Sequence, residues 1–419
     1  MNIRTTANEN DHQELRLGEA ASALHLGASV GQAPGPGDLR TRVEKVAAVA
    51  SAHAAMVDRE SRFPREAFDA ARTERLLGLA VPRELGGEGI GVADIADICY
   101  RLGQACASTA LIYAMHQTKM ACVVGHGLSS PWHRQFLRRL CAEQLLLASS
   151  TTEGQAGGDL RNSAAAVEGE ALITLERQAT VISYGAFADG LVTTARRAAD
   201  AVSSDQVLVT FLKSDYALEP LNGWDAFGMR GTCSAGFKLR ASGLREQILP
   251  DSYEKIHSHT MMPFAHLAWS SVWAGIATAA VGRARGFVRK AAYRAGGTMP
   301  PAAAHLTRAT ATLRTLRSLI AASLQRFEAA SADHATLESI DFQTGMNMLK
   351  VNASELAIST VMGAMQACGI AGYRNDSEFS MGRHLRDILS SPIMISNDRI
   401  LANAAAASLL GGTPASLRD

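Results

Sequence analysis

From Leu39 onward the apolar positions Val43, Val46, Ala47 and Ala50 recur at helical spacing. Phe63-Pro64 opens a second helix, since proline suits a first turn, and that helix is expected to end near Leu77-Gly78. Val81-Pro82 to Gly87 reads as a turn-rich connection. Val92 to Ala107 and Ser108 to His126 are two further helices, and the second is apolar on nearly every face, which predicts burial. A basic helix from Pro131 to Leu145 completes an N-terminal helical domain over residues 39–145.

The texture changes at Leu145. The stretches Leu145 to Ser150, Ala171 to Leu175, Ala179 to Ser183, Gly190 to Thr194, Gln206 to Phe211 and Gly236 to Arg240 are short, β-branched and separated by Gly, Asp and Ser. They predict a middle β domain over residues 146–250, built as a small sandwich or barrel. After Pro250 the helical period returns in Ala265 to Ala295, Pro301 to Ala332, Ile340 to Cys368 and Ser396 to Leu410. These four are long enough for a four-helix bundle over residues 251–419. The expected fold class is mainly α with a central β domain.

Composition narrows the function. Lys and Arg number 41 against 40 Asp and Glu, which gives no reason to expect nucleic acid or an anionic membrane as partner. Aromatic residues are 5% of the chain, so the core should be aliphatic helix on helix. Cys99, Cys106, Cys122, Cys141, Cys233 and Cys368 form no Cys-x-x-Cys pair and no array at metal spacing, so they read as small core residues in a reducing compartment and no metal is expected. Residues 1–38 read as a flexible tail ending in Pro34-Gly-Pro-Gly-Asp38, without the cationic head and apolar run of a secretory signal. No charge-free apolar run of about 18 residues is visible, so no membrane span is expected and a cytoplasmic location is the default.

Candidate chemistry concentrates between Gln366 and Arg399. An apolar helix ends at Gln366-Ala-Cys-Gly369-Ile-Ala-Gly372-Tyr373, Arg383-His-Leu-Arg386-Asp387 forms a short basic helix, and Ser396 or Asn397 caps a third. Backbone amides and polar side chains brought together there suit an anion or a polar cofactor ring. Three more motifs precede it: Thr151-Thr152-Glu153 followed by Ala156-Gly157-Gly158-Asp159 after a strand, and Gly228-Met229-Arg230-Gly231-Thr232 late in the β part. With the order of domains, these residues resemble the acyl-CoA dehydrogenase superfamily of flavoproteins over about residues 40–411. The resemblance implies FAD, or reduced FMN or FAD supplied by a reductase. It implies that Thr151, Thr152, Gly157 and Gly158 meet the flavin pyrimidine edge, and that Ala179 to Ser183 lies against the ring with Ser183 as a contact. It also implies that Gln366 and Gly369 touch FAD held by a neighbouring subunit of a homodimer or homotetramer, and that Asn397 and Arg399 approach the cofactor. Read alone, Gly157-Gly158 is a hairpin turn, Gly369 a helix C-cap and Gln366 a helix-face amide.

Three departures qualify the likeness. The glutamate that removes the α-proton of an acyl thioester in the family is replaced here by Met394-Ile395-Ser396, and Ala268-Trp269-Ser270-Ser271, the other location of that base, has no carboxylate. Gly296-Gly297-Thr298-Met299-Pro300 stands where the family has an arginine and Phe-Gly for the partner's FAD. Thr180 and Ile182 likewise occupy the strand where an aromatic and a Thr are usual. Candidate replacements for the base are His116, with Tyr113 on the buried helix, and Asp398; their plainer readings are a satisfied core imidazole and a helix cap. Arg383, Arg386 and Asp387 read as a structural charge network, and His305 and His384 as solvated or packed residues. Three functions follow: FAD-dependent oxidation of an acyl thioester at the CH–CH bond with an electron acceptor, two-component flavin monooxygenation of a small molecule with a flavin reductase, and a non-catalytic flavin-binding scaffold.

Overall fold

Helix α1 (Leu39–Glu60) begins where Asp38 accepts from the Arg40 amide at 3.3 Å and ends where Ser61 turns left-handed at φ 50°. It is the first element of a computed structural model that describes residues 38–152 and 162–410. Helix α2 (Arg65–Thr73) is shorter than its sequence suggests. Arg75 turns left-handed at φ 55°, and Leu76 and Leu77 drop into the core as a turn instead of a last helical turn. Helices α3 (Val92–Ala105), α4 (Ala107–Gly127) and α5 (Pro131–Glu143) follow, with Ser130 and Pro131 starting α5 as cap and first-turn residue. Almost every residue of α4 is buried, as its unbroken apolarity requires.

Among the described residues six strands make two three-stranded sheets. Strand β1 (Leu147–Ser150) runs parallel to β3 (Gly190–Arg196), which pairs antiparallel with β4 (Gln206–Leu212). Strands β2 (Leu172–Ile182), β6 (Ala235–Leu244) and β5 (Tyr216–Pro220) form the second sheet in that order. The stretches 171–175 and 179–183 are therefore one strand: Glu176 and Gln178 face solvent while the residues between them face in, so their polarity marks the pleat rather than a break. Strand β5 carries no comparable signal. It is five residues long, ends in proline and sits at a sheet edge, where a missing N–H costs nothing.

The C-terminal part begins with α6 (Tyr253–Ile256), passes through a π-helical turn at His257–Met261 and continues as α7 (Met262–Arg294). Helices α8 (Ala303–Ala330), α9 (His334–Glu338), α10 (Ile340–Cys368), α11 (Ile370–Tyr373), α12 (Gly382–Ile388) and α13 (Asn397–Leu410) follow. The segment Tyr253–Arg294 is long and apolar enough to cross a bilayer, which the sequence reading did not anticipate; most of it is buried as the central helix of the bundle. Ser339 caps α10 and Gly369, at φ 56°, ends it.

One hydrophobic core runs from Val43 through the β domain to Ile388, so the boundaries at 145 and 250 mark changes of secondary structure within continuous packing. Helices α3 and α7 meet almost backbone to backbone. A Cβ on Gly103 would lie 2.5 Å from the Val272 carbonyl oxygen, and one on Gly275 2.3 Å from that of Tyr100.

The sequence motifs at 228–232 and 383–387 form a second junction. Gly228 abuts the Arg386 carbonyl, where a Cβ would stand 2.0 Å away. Asp387 accepts from the Met229 amide at 2.7 Å, and Arg386 pairs with Asp58 of α1 in two hydrogen bonds, one of 2.8 Å. The network tied to Arg386 and Asp387 is thus a clamp joining the first helix, the β domain and α12. Burial pushes the Asp387 carboxyl up to about 6. A carboxyl raised in this way adds stability that is fully present below its ordinary pKa and lost as pH climbs through 6. Asp387→Ala, which leaves the Met229 N–H without its acceptor, is expected to cost about 1–3 kcal/mol in urea melts. Asp387→Asn keeps an acceptor but does not titrate, so it should gain on the wild type between pH 4 and pH 8; a gap that stays constant or widens over that range would contradict the clamp's charge state.

Candidate active site

A cavity of about 580 Å³ opens between the β domain and the bundle, within the range of ordinary cofactor and ligand pockets. Its β side is Ser149, Thr151, Thr152, Val181 and Ser183. Strand β1, in register with β3, delivers Ser149 and the two threonines. Between Ala179 and Ile182 the β2–β6 register shifts, and this bulge decides which side chains reach the cavity. Val181 turns into it and Ile182 into the core, so Val181 holds the place expected of Thr180 and Ile182.

The Ser183 hydroxyl has a defined polarity. Thr232 donates to the Met229 carbonyl at 2.8 Å and so must accept from Ser234, 2.7 Å away; Ser234 must in turn accept from Ser183 at 2.8 Å. Each hydroxyl carries one proton, so Ser183 presents only lone pairs to the cavity. The Gly228–Thr232 motif thereby sets the chemistry of a residue 45 or more positions earlier through two hydroxyl links.

The opposite wall is apolar: Met115 of α4, and Met261, Met262, Ala265 and Trp269 along the π turn and α7. His266 also lines it. The Nδ1 of His266 meets the Met346 carbonyl at 3.0 Å, so Nδ1 carries the proton, and burial pushes the imidazole down to about 3. It is a neutral acceptor rather than a base. Lys119 lies on this wall too, 4% exposed, and its significance was not read from the sequence.

The end of the cavity is the turn Met394-Ile395, with Arg399 and Ile400 of α13. Ile395 sits in the left-handed region at φ 51°, unusual for a β-branched residue. The turn is strapped down by Lys350 of α10, whose Nζ donates to Asn397 Oδ1 at 2.7 Å and to the Ile395 carbonyl at 3.4 Å. Asn397 Nδ2 donates to Ser354 at 2.9 Å. Burial pushes Lys350 down to about 8. Asn397 is therefore spent inside the fold and does not line the cavity, which corrects its expected cofactor contact.

The other expected residues divide cleanly. Thr151, Thr152, Ser183 and Arg399 share the cavity; Gly157 and Gly158, with Glu153, lie outside the described residues. Gln366 and Gly369 are exposed at the end of α10 and do not line it. His116 does not line the cavity: it is fully buried, its Nε2 bonds the Leu77 carbonyl at 2.8 Å and its Nδ1 accepts from the Leu147 amide at 3.0 Å. Both ring nitrogens are used, and burial pushes the imidazole down to about 4. Asp398 is exposed in the first turn of α13 and is likewise absent from the cavity wall. Among the described lining residues one carboxylate remains, Glu338, and it is paired with His259 at 2.8 Å with its side chain 60% exposed. No group of three or more His, Cys, Asp or Glu able to hold a metal occurs among the described residues.

The acyl-CoA dehydrogenase N-terminal domain family matches residues 37–144 and the acyl-CoA dehydrogenase C-terminal domain family matches residues 259–410. The chain is 29% identical over 376 residues to L-evernosamine nitrososynthase of a Micromonospora species, covering 85% of this chain and 86% of that protein. It is 34% identical over 139 residues to cyclohex-1-ene-1-carbonyl-CoA dehydrogenase of Geobacter metallireducens, covering 32% and 36%. Its fold superposes on FMN-bound TdsC of Paenibacillus sp. A11-2 with a TM-score of 0.77 at 18% identity, covering 89% and 98% of the two chains.

His116→Leu should destabilise the protein by about 2–4 kcal/mol, since it leaves the Leu77 carbonyl and Leu147 amide unpaired in the core. The pH dependence has a definite sign. His116, His266 and His384 are held neutral with pKa values near 4, 3 and 3, below the ordinary 6.5. Each contributes stability present above pH 6.5 and lost as pH falls toward 4, and the His116→Leu variant should lose less over that interval in thermal melts.

Proposed function

The chain belongs to the acyl-CoA dehydrogenase family, and on that premise we propose that this flavin-dependent oxidoreductase is a two-component monooxygenase that oxidises a heteroatom, such as an amine nitrogen, of a small polar molecule. The carrying observation is the wall where the α-proton base belongs. It is Met394-Ile395, and the one described lining carboxylate, Glu338, is turned to His259 and solvent. A cleft without a poised carboxylate has no means to strip an α-proton, whereas oxygenation needs none. The nitrososynthase likeness over most of the chain supports the same reading.

The residues present fit a flavin ring. A flat heterocycle with one polar edge would meet the hydroxyls of Thr151 and Thr152, a ring N–H would find the lone pairs of Ser183, and the ring face would rest on Val181 and the methionines. When bound in reduced form, flavin supplies the two electrons by which O₂ gives one oxygen atom to the substrate and one to water. The chain's own part is to orient both partners and to keep water out with Met115, Met261, Met262 and Ala265. A separate reductase is the proposed source of reduced flavin. Gln366 and Gly369 stand on an exposed face beside Ile370 and Tyr373, 73% and 74% exposed, which supports their proposed role toward the flavin of a neighbouring subunit in a homo-oligomer.

Acyl thioester dehydrogenation is the second reading, kept by Glu338 on the cavity wall and by the partial likeness to an acyl-CoA dehydrogenase. The two separate in one assay. With a flavin reductase, NADH, FMN or FAD and ¹⁸O₂, an amine substrate should acquire labelled oxygen, while acyl-CoA should leave protein-bound flavin coloured under anaerobic conditions. Anaerobic bleaching by acyl-CoA would overturn the oxygenase reading.

Thr152→Val removes a hydroxyl from the ring's polar edge and should weaken flavin binding about five- to tenfold, read by fluorescence titration. Unchanged affinity would displace Thr152 from the cofactor.

A further inference from the structure

Lys119 is out of balance with its surroundings. It belongs to α4, the most deeply buried helix, yet its side chain lines the cavity. An ammonium has three protons to donate, and among the described residues Nζ meets a single acceptor, the Met261 thioether sulfur at 3.3 Å. Among the described residues no carboxylate pairs with it. Cys122, which acts on Lys119 from three residues along the helix, is a thiol that burial pushes up to about 12 and which is therefore neutral. Arg177, whose charge also acts on Lys119, is itself a buried cation committed to Thr193 and Thr194. Other buried cations here have oxygen partners: Lys350 has Asn397 and the Ile395 carbonyl, and Arg42 has Glu88.

A desolvated cation with only a weak sulfur acceptor forfeits most of its hydration uncompensated unless something negative occupies the space beside it. That space is the cavity. We infer that Lys119 is the anion-receiving residue of the cleft, so that its occupant places a negatively charged group against Nζ. This rests on the cleft being the ligand site of the preceding proposal, and it adds the charge that the occupant must carry. Burial pushes the Lys119 ammonium down to about 8, in keeping with a cation short of partners. The Met115, Met261 and Met262 walls make the rest of the site apolar, so the matching chemistry is a flat or aliphatic body bearing one anionic end. Two sources offer that chemistry: a carboxylate or phosphate on the substrate, or the anionic ring of reduced flavin.

The test uses the full chain without turnover. Fluorescence of Trp269 and Trp273 reports binding, since Trp269 lines the cavity and Trp273 lies one turn further along α7. If the anion belongs to the substrate, wild-type protein at pH 7 should bind benzoate at least about tenfold more tightly than benzamide, and K119M should erase that preference. If it belongs to the flavin, the benzoate preference is absent. K119M then loses about tenfold in affinity for reduced FMN under anaerobic conditions while its affinity for oxidised FMN holds. Either pattern supports the assignment and names the source. Wild-type protein that prefers neither benzoate nor reduced FMN overturns it before any variant is made. So does a preference that survives in both K119M and K119Q, the second variant keeping a polar side chain should the first fail to fold. Because none of these readings depends on product formation, Lys119 can fail while the oxygenase reading stands, and acyl-CoA bleaching can remove the oxygenase reading while Lys119 stands.

Discussion

The two hydrogen bonds of His116 hold together the part of the molecule on which the cleft depends. A helix as deeply buried as α4 has to satisfy most of its polar atoms within the protein. His116 settles its own by gripping the Leu77 carbonyl on one side and the Leu147 amide on the other, while Tyr113 and Gln117 bond the Leu76 carbonyl at 3.1 and 3.2 Å. The turn after α2, the buried helix and the first residue of β1 are thereby fixed as one unit. Ser149 of β1, and Thr151 and Thr152 just past its end, follow within a few residues, so the polar edge of the cavity is placed by an imidazole that never reaches it. The cost of burying neutral histidine is acid sensitivity, which is the usual exchange when a core is closed with polar side chains.

Much of the fold was legible because helix ends announce themselves. Helix α10 runs from Ile340 to Cys368 in sequence and structure alike, since Ser339 and Gly369 are a cap and a left-handed stop. The short α2 was not, because nothing in the residues shows that Arg75 turns left-handed and lets Leu76 and Leu77 fall inward. Strand β5 was missed because its five residues derive their extended state from pairing with β6 and not from their own preferences.

The site divides along a similar line. Thr151, Thr152 and Ser183 could be placed at the cleft through the family resemblance of the motifs that carry them, and all three line it. Choices between neighbouring positions could not. Asn397 points back to Lys350 and Ser354, Asp398 points to solvent, and Arg399 faces the cavity, three consecutive residues whose fates are set by helix phase. His116 stays in the core while Lys119, three residues on, lines the cavity. A lysine inside an unbroken apolar run was the available signal for the second, because such a charge needs a reason to be there.

The clamp at Arg386 and Asp387 has a bearing on how the chain reaches this state. Its acceptor on α1, Asp58, precedes its donor by 328 positions, and Met229 precedes Asp387 by 158. While the polypeptide is emerging from the ribosome, the helices made first and the sheet made next expose surfaces whose complement has not yet been synthesised. Closure waits for the last quarter of translation, which makes the nascent protein a natural client for chaperones that shield half-built cores.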